Sequence, residues 1–423
     1  MTSELVTKYK KTELRQIPEN WEIVKIDDLG DIVTGNTPST SKREYYANDY
    51  FWASPTDLGE TKYIEKTHTM LSEQGFKQTR KIPPNSVLVV CIGSTIGKIG
   101  ISKNEMATNQ QINSIICKEN IDNEFVYYQL FYNNKKIKES SNQLAIPILN
   151  KNDFGMLKII KPKKIEEQQR IASILSKVDE LLQIKHQLIE HSQRLKKGLM
   201  QRLLTKGIAH TKFKQTKLGE IPDKWQVRTL EHCVHSDIPI TYGIVQAGPN
   251  VPGGIPYIRT GDMSAGRLSK DGLLHTSVEI ASSHPRSQVK AGEIVCALRG
   301  IVGSVLEVPE ELEGANLSRG AARISPRHDI YRRYLLWALR SEYARRQFDV
   351  FSNGTTFKEI TLAQLRTIKV AVPLAIKEQL DLATIFDQLE LTKDLRQRYE
   401  KKLMILRTGL MQKLLTGKIR VKV

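Results

Sequence analysis

The strings most able to carry chemistry are short and incomplete. Gly93-Ser-Thr-Ile-Gly-Lys98 invites comparison with a phosphate-binding loop, but it has one residue too few between its glycines. Ile99 stands where a serine or threonine would hold magnesium, so a nucleotide site of this type is excluded. No Gly-x-Gly-x-x-Gly run occurs. Ile82-Pro-Pro-Asn85 has the wrong order for the Asn-Pro-Pro-aromatic motif of adenine methyltransferases, so the chain alone is expected to hold no methyl donor. Asp49 followed by Glu60-x-Lys62 offers the residue types of a metal-dependent nuclease, carboxylates for a divalent cation and an amine beside the attacking water. Glu60, however, follows Gly59 in a turn-like stretch rather than an apolar strand, which favours a solvated surface pair. His186 and His191 are five apart and cannot share one helix face, and His232 with His235 is the other close pair. Cys91, Cys117, Cys233 and Cys296 form no Cys-x-x-Cys pair and sit in or beside apolar stretches, as buried free thiols do. The sequence predicts no catalytic residue and no metal site.

Recognition chemistry is better represented. The 423 residues carry 64 Lys and Arg against 46 Asp and Glu, a formal charge of +18 that favours polyanionic partners, nucleic acid first and an anionic membrane surface second. With 40% hydrophobic and 26% charged residues the chain is folded, so the charge sits on folded surfaces. The start has no apolar signal core and no run of about 18 apolar residues occurs, which predicts a cytoplasmic protein without a membrane span. Amides and hydroxyls that can pair with base edges, beside cations for phosphates, cluster in loops. The first half offers Thr37, Ser39, Lys42, Arg43 and Tyr45, then Ser94, Thr95 and Lys98 of the glycine turn, then Gln110, Gln111 and Asn113. In the second half arginines dominate: Arg259, Arg267, Arg299, Arg319 and Arg323, with Asn316, Ser318 and Lys358.

The elements that must position these loops are written twice. Ile165 to Ile208 aligns without a gap on Ile376 to Ile419 at an offset of 211, with 14 of 44 positions identical, including Gly198-Leu-Met-Gln against Gly409-Leu-Met-Gln. Ile17-Pro-Glu-x-Trp21 matches Ile221-Pro-Asp-x-Trp225 at an offset of 204, so the second copy is seven residues longer between these anchors. Between them only scattered positions match, such as Asp57 with Asp262 and Gly97 with Gly303. The Asp49–Glu60–Lys62 pattern is not repeated, since Ala265 and Arg267 take the places of Glu60 and Lys62.

The repeated ends read as helices. Ile171, Ile174, Val178, Leu181, Leu188, Leu195 and Leu199 follow helical spacing, as do Leu382, Ile385, Leu389, Leu403, Leu406 and Leu410, and Pro162 and Pro373 lie just before each start. About 35 helical residues span roughly 50 Å, which predicts two long helices packed on each other. The segments between them are α+β: Ser86–Ile92 and Glu293–Leu298 read as strands leading into glycine turns, and Asn123–Lys138 and Tyr331–Phe348 as helices. The predicted organisation is a first domain over 1–162, a long helix over 163–208, a second domain over 209–373, and a second long helix with a tail over 374–423. Leu199, Met200 and Leu203, with Leu410, Met411 and Leu414, are the expected partner-docking residues, because the two blocks are nearly identical.

This tandem order resembles the specificity subunits of type I restriction-modification systems. The resemblance covers nearly the whole chain and rests on domain, helix, domain, helix, on the paired Ile-Pro-x-x-Trp motif, and on the Pro-x-x-x-x-Glu-Gln helix start of Pro162 to Gln168 and Pro373 to Gln379. It implies two pseudo-symmetric target recognition domains separated by an antiparallel coiled coil, which read a bipartite double-stranded DNA site. It also implies two modification (methyltransferase) subunits, and restriction (translocase/nuclease) subunits in the full complex. S-adenosylmethionine, ATP and magnesium would belong to those partners, and this chain would supply the address for adenine methylation or restriction. The rival readings are a stand-alone metal-dependent nuclease using Asp49, Glu60 and Lys62, and a coiled-coil adaptor that binds protein.

Overall fold

The computed structural model describes residues 8–141, 147–352 and 358–422, and the chain divides into two compact units, 1–186 with 398–423, and 187–397. Each unit is an α+β domain carrying part of both long helices. These helices run Ile165–Lys206 and Ile376–Leu414, 42 and 39 residues, and so fill most of the 44-position repeat.

In the first unit a five-stranded sheet has the order Gly30–Thr34, Ile112–Cys117, Val87–Val90, Ile99–Ser102, Tyr63–Ile64, beside a four-stranded sheet built around Tyr46–Ala53 and Met106–Thr108. Val87–Val90 is buried at every position, which accounts for its uninterrupted apolar sequence. The second unit repeats the plan in a four-stranded sheet around Ala321–Ile324 and Ile294–Ala297 and a three-stranded sheet around Ile255–Ile258. Trp21–Lys25 pairs antiparallel with Lys158–Pro162 in one unit, and Trp225–Thr229 with Lys369–Pro373 in the other. The strand that follows the Ile-Pro-x-x-Trp motif is thereby tied to the strand that leads into the long helix.

The helix segments pair within each unit. In the first, Asp179 meets Arg407 at 2.5 Å and the Lys185 ammonium lies 4.9 Å from the Tyr399 ring centroid. In the second, Arg396 donates to the Leu188 carbonyl at 3.0 Å and Lys196 pairs with Glu390. In both, partner numbers fall as helix numbers rise, so the pairing is antiparallel.

The apolar stripe is not one continuous seam. Ile171, Leu175 and Val178 are buried in the first domain's core, and Leu382, Ala383 and Phe386 in the second's. Leu181, Leu188, Leu195 and Leu406 remain exposed to solvent, a correction to their expected place in a packed seam. Among the described residues no helix is long and apolar enough to cross a membrane.

Candidate nucleic-acid interface

The turns that carry the candidate contacts are braced by the same devices in both units. A Cβ on Gly35 would lie 2.1 Å from the Thr108 carbonyl oxygen, and one on Gly243 would lie 1.7 Å from that of Leu317, so only glycine lets the chain pass there. The neighbouring turn in the first unit is Thr108–Gln111. Asn109 donates its N–H to the Ala53 carbonyl at 2.9 Å, and its side-chain oxygen accepts from the Gln111 N–H at 3.0 Å. In the second unit Ser318 donates to the Ile258 carbonyl at 2.9 Å, and Leu298 to the Gly320 carbonyl at 2.7 Å. Gln110 and Arg319 occupy equivalent exposed tips of these two turns.

Other candidates gather around each tip. The Thr37 hydroxyl donates to the Gln110 side chain, and the Gln111 amide bridges to the Ile92 carbonyl at 3.3 Å, which places Ser94 and Thr95 on the adjoining turn. Lys42 reaches the Tyr45 hydroxyl at 3.2 Å, and Ser39 and Arg43 are exposed on the same loop, which Tyr46 ties back by donating to the Pro38 carbonyl at 2.8 Å. In the second unit the Arg299 guanidinium pairs with Glu359 at 2.7 Å beside exposed Lys358. The Arg259 fork is held by Asp262 at 2.8 and 3.1 Å. Asp262 also accepts the Arg259 N–H, just as Asp57 accepts the Ser54 N–H, both at 2.8 Å, which explains why this aspartate is common to the two copies. Arg267 is exposed on a separate turn, and Ser318 is half-buried. Arg323 is held inside by the Gln288 carbonyl at 2.6 Å.

Three expected contacts are corrected. Asn113 is 3% exposed and its oxygen accepts from Thr34 at 2.6 Å, while Asn316 is 1% exposed and donates to Ser287 at 2.7 Å. Both lie on interior strands, where a buried amide must find protein partners. The Lys98 stem packs over Gly59 and its ammonium donates to the Pro55 carbonyl at 3.2 Å, so it braces a loop.

Of the expected docking residues Met411 and Leu414 are internal, and the other four are partly buried. Met411 and Leu414 are buried in the core that contains Ile17 and Trp21, with Leu410 packed against it, and Leu199, Met200 and Leu203 pack on the core containing Ile221 and Trp225. The near-identity of the two helix blocks is thus accounted for by the near-identity of the surfaces they cover.

The helix-start motif has a role that its sequence spacing does not reveal. Trp21 Nε1 donates to Glu167 at 3.2 Å and Trp225 Nε1 to Glu378 at 3.1 Å. Gln168 accepts from the Asp122 N–H at 3.0 Å and Gln379 from the Tyr331 N–H at 2.7 Å. Each Glu-Gln pair therefore staples helix, Trp strand and domain together. Their common offset was the available signal.

The nuclease reading does not survive the geometry. Lys62 donates to Glu124 at 3.1 Å and to Ser176 at 2.8 Å, at the joint between domain and helix, whereas Glu60 is exposed. Burial pushes the Cys91, Cys233 and Cys296 thiols up to about 12, which leaves them un-ionised and inert as nucleophiles.

A sequence model of the family described as type I restriction modification DNA specificity domain matches residues 18–191 and 222–404. The chain is 26% identical over 423 residues to the type I restriction enzyme MjaVIII specificity subunit of Methanocaldococcus jannaschii, covering 98% of this chain and 96% of that protein. It is 34% identical over 169 residues to the HindI specificity subunit of Haemophilus influenzae, covering 38% of this chain and 37% of that one. Among solved structures, the S subunit of a type I restriction-modification system from M. genitalium shares the fold with a TM-score of 0.60 at 18% identity, covering 96% of this chain and 98% of the other.

Proposed function

Since the chain belongs to the type I restriction-modification DNA specificity family, we propose that it reads a two-part duplex site, one half per unit, and delivers partner subunits to it. The observation that carries this reading is the pair of equivalent turns whose scaffolds coincide while their exposed tips differ, Gln110 in one and Arg319 in the other. A glutamine amide suits adenine N6 and N7, and an arginine fork suits guanine O6 and N7, each good pair contributing about 1–3 kcal/mol of discrimination. Lys42, Arg43, Arg267 and Lys358, exposed nearby or on adjacent turns, would hold phosphates without reading sequence.

The chemistry belongs to the partners: modification subunits that hold S-adenosylmethionine and flip an adenine, and restriction subunits that use ATP and magnesium. Two modification subunits, one per pseudo-symmetric face, fit the duplicated architecture. Their docking face is better sought among helix residues left in solvent than in the buried blocks. Leu181, Ile184 and Ile405 in the first unit, and Leu391 and Leu395 in the second, are exposed, Ile405 by 74%.

Selection of bound sequences from a random duplex pool, with the partner subunit present, tests the reading. The expected result is a two-part motif in which Arg319→Ala relaxes one half and Gln110→Ala the other, each by about 5- to 150-fold. A motif-free pool would overturn it.

A further inference from the structure

The second unit contains a cleft of about 540 Å³ that recognition of a two-part site leaves without a role. It is lined by Glu231, His232, His235, Arg327, His328 and Arg366. Arg366 is anchored by donating to the Ile240 carbonyl at 2.9 Å, and Arg327 Nε donates to Asp329 at 3.1 Å. Among the described residues, the terminal nitrogens of Arg327 and the rings of His235 and His328 have no hydrogen-bond partner. No group of three or more His, Cys, Asp or Glu among those residues converges on a metal position, so the imidazoles are not a ligand set.

The first unit shows what this position looks like without that chemistry. Ile26 donates to the Leu157 carbonyl as Leu230 does to that of Ile368, and Lys118 donates to the Leu29 carbonyl as Arg327 does to that of Cys233. These bonds align Asp27, Asp28 and Asp31 with Glu231, His232 and His235, and Lys118 and Glu119 with Arg327 and His328. They also align Gly155 with Arg366. A Cβ on Gly155 would lie 2.2 Å from the carboxylate of exposed Asp27, so a side chain there would have to displace it. The same corner of one scaffold thus holds four carboxylates against one lysine in the first unit, and two guanidinium groups and three imidazoles against Glu231 and the Asp329 that holds Arg327 in the second.

We propose that this cleft is a phosphate-binding site confined to the second unit. The cavity is within the size range of small-ligand sites, and its donors match phosphate oxygens. Its lining carries no aromatic residue apart from the histidines on which a base could stack, so the ligand is held by its phosphate rather than by its base. The phosphate comes from the backbone of the bound duplex, beside the half-site that this unit reads, or from a free phosphate compound. The first source rests on the DNA-reading function proposed above; the second does not.

His235→Asp with His328→Glu installs the first unit's residues at two partly exposed loop positions, and Arg327→Gln is an independent second variant. The full chain with its partner subunit is titrated with a duplex carrying its selected site, at several salt concentrations. A backbone contact predicts that both variants lower the slope of log K against log salt by about 1, equally on specific and random duplex. It also predicts that ethylating one phosphate next to the second half-site weakens the wild type and not the variants. In a parallel arm without DNA, inorganic phosphate and pyrophosphate are titrated into the chain by calorimetry. A free-phosphate site predicts saturable binding that both variants lose, with the salt slope unchanged. Unchanged slopes together with no phosphate binding overturn the proposal. A wild type that binds no duplex at all would instead sink the DNA reading and leave the phosphate arm to decide.

Discussion

At the joint between domain and long helix the two units reverse one ion pair and keep the polarity of the next. In the first, Glu124 of the domain accepts from Ser176 of the helix and from Lys62 at 3.1 Å. In the second, Arg333 stands at the place of Glu124 and donates to Asp387, at the place of Ser176, at 3.0 and 3.1 Å, with Glu307 supplying a further countercharge from a strand position different from that of Lys62. One turn along the polarity is kept instead: Asp179 pairs with Arg407 in the first unit, and Glu390 with Lys196 at the equivalent places in the second. The Trp–Glu staple, by contrast, is the same in both. A duplicated joint therefore tolerates any complementary pair where the groups are partly solvated, but retains the residue itself where a fully buried ring must also satisfy its N–H.

The largest expected effect comes from breaking what the units share. Trp21→Ala or Trp225→Ala removes a ring with no solvent exposure and should cost about 3–5 kcal/mol, seen as lost hydrogen-exchange protection confined to the unit that carries the change. The partners of the staple then separate the units. Glu167 is 2% exposed and is gripped by both arms of Arg420 at 2.6 and 2.8 Å, whereas Glu378 is 15% exposed and has His210 at 2.7 Å and the Ile208 N–H at 3.2 Å. Arg420→Ala should therefore destabilise the first unit by about 2 kcal/mol, and His210→Ala the second by less. Equal losses would show that the two staples are energetically alike.

Much of this scaffold is legible in the sequence, and the reason is physical. The long helices show because their apolar spacing persists over many turns, and Val87–Val90 and Ile294–Ala297 show because strands buried on both faces are uninterrupted apolar runs. Asp57 and Asp262 show as a matched pair because a backbone N–H three residues earlier needs the same acceptor in each copy. Periodicity states which face of a helix is apolar but not what covers it, so Met411 and Leu414 suggested a docking surface when they belong to the core that contains Trp21. An asparagine on a strand reads as a base contact until its neighbours are known, as Asn113 and Asn316 show. The histidine and arginine cleft was invisible because its residues come from three separate segments.

Reversing one joint tests whether polarity there is interchangeable. Glu124→Arg alone sets a second cation against Lys62 and should cost the first unit about 2–4 kcal/mol. Adding Lys62→Glu and Ser176→Asp gives the new arginine two carboxylates, as Arg333 has, and should recover most of that loss, measured as non-additivity in a mutant cycle. If the triple variant is no more stable than Glu124→Arg, the surrounding packing, not complementarity, fixes the choice of charge.

The smallest effect concerns acid, and its size differs between the joints. At Glu390 burial pushes the carboxyl up, but hydrogen bonds and charge from Lys196 and Lys393 outweigh it and hold it below the ordinary range. Its contribution is present above the ordinary glutamate value of about 4.3 and is lost as pH falls through the lower folded value. Glu124 behaves likewise, because bonds from Ser176, Tyr63 and Lys62 overcome burial. Beside it, however, burial raises Asp122, whose contribution is present below about 3.9 and lost as pH rises through its folded value. Acidification thus removes stability at Glu124 and returns some at Asp122, while Glu390 has no such neighbour at its own joint. Lowering the pH from about 7 to about 4 should reduce protection in the second unit more than in the first, by about 1 kcal/mol or less. Asp122→Asn should make the first unit as acid-sensitive as the second, and Glu390→Gln should flatten the second unit's response. An acid response that is the same in both units, and unmoved by either change, would place the pH dependence outside the joints.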